Sequence, residues 1–359
     1  ADAGIKLSLD ANSRISLSNN DSGGTGGSDS TSGNTIFGYL AGQDIASGGL
    51  ENTYFGHNAG NQNTTGDKNT YIGSNAGEGV NGNANSENVA VGYNALLAIT
   101  TGDENTVIGT AAGDSITSGG SNVIIGDGAG AASDDVNSTV IIGRSACADG
   151  NVATDGTIAI GFEALKVLTS GGESIAIGYQ SGLDLTSGSA NTALGFKALY
   201  EEDTGGHNTA IGQSALFKGK KGGSAGDVNN TGVGSGAGYN NITGTNNTYV
   251  GKDAGYGASG QSSSNNTGIG KGVLQNVTSG SSNVSIGSGA GTALTSGSSN
   301  VIMGKNAGVG TLLAGNCVII GAAAGEGALT ADANGSVMIG YAAGNGNTEG
   351  QRNLAIGYQ

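Results

Sequence analysis

Proline and tryptophan are absent from this 359-residue chain, aromatic residues make up only 4%, and there are two cysteines and two histidines. Each scarcity removes a class. So few large side chains argue against the single thick core of a conventional enzyme of this length. Cys147 and Cys317 are too few for a disulfide framework. His57 and His207 have no Cys or second His near them in the repeat register described below, so no metal site is expected. There is no run of about 20 apolar residues, so no membrane insertion is expected either. The net charge of −15, from 28 acidic and 13 basic residues, disfavours nucleic acid and anionic membrane surfaces. Ala1 in place of an initiator Met leaves export open.

What the chain has in abundance is glycine, 73 residues of it, in a strict order. Anchored on the glycine after a short apolar word, the sequence repeats from Gly38 to Gly357 in nineteen copies. Twelve of the eighteen spacings are 17 residues; the others are 18, 19 or, from Gly212 to Gly234, 22. The unit is N-T-x-I-G-x-x-A-G/L, positions one to nine, followed by a turn-rich half. It is too short for two packed helices, and its Thr, Val, Ile and Gly favour strands and turns. The expected fold is therefore all-β: a parallel β-solenoid of about nineteen 17–19-residue coils occupying residues 34–359, spanning roughly 90 Å at about 4.8 Å per coil. Residues 1–33 lack the repeat and are read as a cap or joint with a Gly/Ser-rich connection. The final "NLAIGYQ" opens a repeat and stops within it, so a further coil or a docked partner is expected beyond.

The columns carry the finer expectations. Position four is apolar in every copy, which assigns Phe37, Phe55, Ile72, Ile108, Ile125, Ile142 and Ile320 to the core. Position three points the other way. Where it is large, position nine is Gly, except that Ile141 meets Cys147; where position nine is Leu, as at Leu96 or Leu274, position three is Ala or Gly. The two positions thus share a confined volume. Because words such as Val140-Ile141-Ile142 are apolar on both faces, Tyr54, Tyr71, Ile124, Ile141, Ile302 and Ile319 are assigned to an interchain face of a homotrimer. Asn at position one, in fourteen of nineteen copies, suits a hydrogen-bonded ladder or a turn.

Chemistry is sparse. Phosphate-binding and nucleophile-turn motifs are missing, and acidic residues such as Asp103-Glu104 and Asp134-Asp135 are scattered. No catalytic residue, cofactor or metal is expected, and the chain is read as a non-enzyme. Lys218, Lys220 and Lys221, in the 22-residue spacing, form the one basic cluster and a candidate contact loop for a protein receptor or acidic glycan. Thr at position two in nine copies raises ice binding as a minor alternative.

The words "TIAIGFEAL", "SIAIGYQSG" and "NTAIGQSAL" resemble the head repeats of trimeric autotransporter adhesins, which form parallel β-rolls in trimers. The opening "NSRISLSNNDSGG" followed by "NTIFGYLAG" resembles fibre proteins of tailed phages, particularly marine ones. These resemblances imply a structural fibre that projects an attachment element: first a phage tail or host-attachment fibre in the virion, then a bacterial surface adhesin or extracellular filament.

Overall fold

The computed structural model describes residues 33–359 except 47, 81, 153–154, 220–225, 259–260, 311–312 and 328. The cap or joint expected over residues 1–33 therefore lies outside the described residues apart from Gly33. Nineteen three-residue strands, from Thr35–Phe37 to Leu354–Ile356, form one parallel sheet. Each pairs with the next without slippage: Thr53, Tyr54 and Phe55 lie beside Thr70, Tyr71 and Ile72. The chain is thus a β-solenoid of about eighteen turns between its first and last strands, with a 3₁₀ turn at Ala331–Ala333 and no α-helix among the described residues. A second, two-stranded pairing joins Gly205–Gly206 to Gly226–Asp227, where the coil is longest.

The turn halves stack as closely as the strands. Gly42 N donates to Ala59 O at 2.9 Å, Asn58 N to Tyr39 O at 3.0 Å and Lys68 N to Leu50 O at 2.8 Å, so successive coils are bonded around most of their circumference. This satisfies the backbone of turns that lack strand geometry. Glycine at position five makes such stacking feasible. Gly126 sits at φ +137°, and a Cβ there would meet the carbonyl oxygen of Gly143, one coil on, at 2.6 Å.

The interior is a thin apolar seam. It is lined by position three (Tyr54, Tyr71, Ile124, Ile141, Ile302 and Ile319, all fully buried), by the alanines of position eight, and by Leu96, Leu165 or Leu274 at position nine. The shared volume is directly visible: a Cβ on Gly60 would lie 2.6 Å from the Tyr54 ring, and one on Gly232 would lie 2.9 Å from Leu216 Cγ. Size at position three trades against size at position nine because both point into one seam two side chains thick.

This corrects the sequence reading of the two faces. Tyr54, Tyr71, Ile124, Ile141, Ile302 and Ile319 are not an interchain face but the core of a single chain. Phe37 (51% exposed), Phe55 (55%), Ile72 and Ile108 are not core but stand exposed on the outer side of the sheet, with Ile125, Ile142 and Ile320 part-buried on that same side. Uniform apolarity at position four was the misleading signal. A narrow interior demands complementary sizes, and that demand falls on positions three and nine, whereas a flat outer face tolerates the same residue in every coil.

Two further columns complete the coil. At position one, Asn52 Oδ1 accepts from Asn69 N (2.8 Å) while Asn52 Nδ2 donates to Gly66 O (2.9 Å). The same relay runs Asn69 to Asn88 and Asn88 to Asn105, and again from Asn247 through Asn266 to Asn283. Each of these buried Asn side chains therefore fastens its own turn and the next coil together. Where position three is Tyr, the opposite wall turns polar to meet the hydroxyl. Asn63 donates to Tyr54 (2.7 Å), Tyr71 donates to Asn85, and Gln261 donates to Tyr249 (3.2 Å). The coils that follow Tyr71 and Tyr249 are two of the three 19-residue spacings, whereas Tyr54 is accommodated in a 17-residue coil.

Candidate functional site

With the interior filled by the chain itself, functional chemistry belongs to its outer surfaces. The strands alternate, so positions two and four project outward together. Across all nineteen strands these two columns hold only Thr, Val, Ile, Leu, Phe and Met, with no charged residue. Phe37 stacks on Phe55 at 5.0 Å, continuing the column as a ladder. Position two also changes in blocks: Thr dominates from Thr35 to Thr106, aliphatic residues run from Val123 to Ile175, Thr returns from Thr192 to Thr267, and Val runs from Val284 to Val337.

Beside this face, the residue after the corner glycine (position six) forms a second exposed column. Its backbone carbonyls accept from the next coil in sequence: Gln180 N to Phe162 O (2.8 Å), Lys197 N to Tyr179 O (2.9 Å) and Gly272 N to Lys252 O (2.9 Å). Phe162, Tyr179 and Phe196 stack at 5.1 and 5.3 Å, with the Arg144 guanidinium 4.8 Å over the Phe162 ring. A separate ladder at position ten joins Tyr200, Phe217, Tyr239 and Tyr256 at 4.8–5.0 Å. Lys197 Nζ bridges the two ladders, 5.6 Å from the Phe196 ring and 4.6 Å from the Tyr200 ring. Burial, with the carboxylates of Asp184, Glu201 and Glu163 nearby, raises the Tyr200 hydroxyl above its ordinary range. Sequence reading missed both ladders. Their signal was present, since Phe162, Tyr179 and Phe196 are each 17 residues apart, but it emerges only when the columns beyond the strand word are read.

The remaining candidates are dispersed. Lys218 is part-buried and bridges to Glu201 through its backbone, while Lys220 and Lys221 lie outside the described residues. His57 stacks on Tyr39 at 5.6 Å. Cys147 and Cys317 are free and buried; Cys147 occupies position nine opposite Ile141, and burial pushes its thiol up to about 12. Among the described residues no three His, Cys, Asp or Glu side chains gather as a metal site, and no helix is long and apolar enough to cross a membrane. A shallow depression of about 230 Å³ is lined by Val167, Asp184, Thr186 and Asp203, with the Thr186 hydroxyl donating to the Asp203 carboxylate. Comparison with protein families, curated proteins and solved structures finds no match to this chain.

Proposed function

We propose that the protein is a rigid structural fibre that associates with copies of itself through the outer sheet face and projects an attachment element toward a cell surface. The observation that carries this reading is the uncharged apolar face formed by positions two and four. Nineteen strands at about 4.8 Å make it about 86 Å long, and its area of roughly 900 Å² is close to the ~800 Å² per partner of a standard stable interface. A face that repeats once per coil is matched along its whole length by a surface of the same period, and a second copy of the chain has that period.

The Thr and aliphatic blocks of position two favour copies that run parallel and in register, so that Thr meets Thr and Val meets Val. A rotation axis along the fibre keeps them so, and among such axes the three-fold is favoured by the resemblance to trimeric adhesin heads. The homotrimer, the attachment role and a place in a phage tail fibre, or else on a bacterial surface, rest on the resemblance of the repeat words to those of adhesin heads and phage fibres. The test is to place charge on the face with Ile142→Glu and Ile177→Glu together. The wild-type chain is expected to elute as an oligomer and the variant as a monomer with the same circular dichroism. A wild-type monomer would overturn the reading and return the Thr-rich face to ice binding, which thermal hysteresis would then test.

A further inference from the structure

The position-six column has a charge balance opposite to that of the molecule. The chain carries 28 acidic and 13 basic residues, yet this column holds Arg144, Lys252, Lys271 and Lys305 against the single acid Asp127. All four cations are exposed. Lys252 approaches Asp253 at 3.8 Å, and Lys271 and Lys305 make no ion pair among the described residues. The other side chains of the column include exposed aromatic rings: Tyr93 (55%), Tyr179 (45%) and Phe196 (47%). Coil-to-coil backbone hydrogen bonds at about 2.9 Å hold the column straight, so its rings and cations are fixed in one row along the fibre axis.

From this row we infer a binding ridge for a linear acidic polysaccharide lying parallel to the fibre. The inference deepens the attachment reading by naming the ligand class, and it rests on that reading. Rings present apolar edges to sugar C–H groups, and the cations meet carboxylates. The spacing decides which polyanion fits. Lys252, Lys271 and Lys305 lie one and two coil steps apart, about 5 and 10 Å, with Arg144 six steps, about 29 Å, before them, and this cationic stretch suits a polymer whose carboxylates are separated by whole sugar rings. Duplex nucleic acid carries about one charge per 1.7 Å and requires a far denser row. Asp253 and Glu163 offset Lys252 and Arg144 in part, whereas acidic residues beyond about 8 Å are screened at physiological salt, which leaves Lys271 and Lys305 as the cations free of an ion pair among the described residues.

The ridge is tested with the full chain and three labelled probes: polygalacturonate, the neutral linear glucan pullulan, and an oligo-dT strand. Binding is followed by anisotropy at about 50 and about 200 mM salt. Polygalacturonate is expected to bind in preference to the other two, with affinity falling as salt rises. The triple variant Lys252→Gln/Lys271→Gln/Lys305→Gln is expected to weaken it roughly tenfold or more, and Tyr93→Ser/Tyr179→Ser to weaken it without changing the salt slope. Circular dichroism and solution mass confirm that each variant keeps its fold and assembly. The ridge is refuted if polygalacturonate does not bind, if the lysine variant binds it unchanged, or if pullulan or oligo-dT binds as well. Because the probes report on the ridge whatever the oligomeric state, a monomeric mass sinks the fibre reading alone.

Discussion

At the scale of single residues, the seam between positions three and nine governs what the sequence tolerates. A Cβ on Gly77 would fall 2.5 Å from the Tyr71 ring, at φ +54°. Gly77→Ala is therefore expected to destabilise the chain by about 2 kcal/mol through overpacking and left-handed strain. The effect should be smaller in a Tyr71→Ala background, and additive melting shifts in the double variant would contradict a shared volume. The Asn column makes a second prediction. Asn105 Oδ1 accepts from Asn122 Nδ2 (2.9 Å) and Asn105 Nδ2 donates to Gly119 O (2.9 Å) in a fully buried site. Asn105→Ala strands these partners and is expected to cost about 2–3 kcal/mol in denaturant unfolding. Alkaline pH makes a third. Burial raises the Cys147 thiol from 9.0 to about 12, so its contribution is complete below pH 9 and drains away as pH rises toward 12. Tyr54, Tyr71 and Tyr249, raised from 10.0 by burial, add to that loss at still higher pH. Unfolding free energy should be flat near neutrality and fall above pH 9, with a shallower initial fall in Cys147→Ala.

At the scale of the coil, most of the architecture was legible. Spacing alone announced stacked coils, the Gly at position five announced the corner, and the size exchange between Tyr71 and Gly77 or between Ala90 and Leu96 announced a confined seam. The orientation of the strand was read backwards, because a column that is large and apolar in every copy looks more like a core than one that varies from Tyr71 to Ala90. In a roll this thin, variation matched by a partner marks the inside. The coil from Gly212 to Gly234 is the weak joint. Position three there is Gly232, the coil is 22 residues long, and the buried apolar residues fall into two clusters, one ending at Leu216 and the other beginning at Ala237. Solenoid stability is a sum over neighbouring coils, so a gap in the seam separates cooperative blocks. Native-state hydrogen exchange is expected to show residues 35–216 and 237–339 opening as two units with different free energies. A single global opening would refute the joint.

At the scale of the whole molecule, the chain covers its inner face and leaves the outer one bare. What extends along its length is an apolar face flanked by a straight row of rings and cations. Parallel, in-register copies place each position-two residue nearest its own counterpart, so Thr70→Cys, near one end of the sheet, is expected to form an interchain disulfide on mild oxidation. An antiparallel arrangement would leave that cysteine free. The most direct measurement is the solution mass by light scattering over a range of concentrations. The proposed three-fold fibre predicts a concentration-independent mass of three times 34.5 kDa, and a persistent mass of 34.5 kDa would contradict the account.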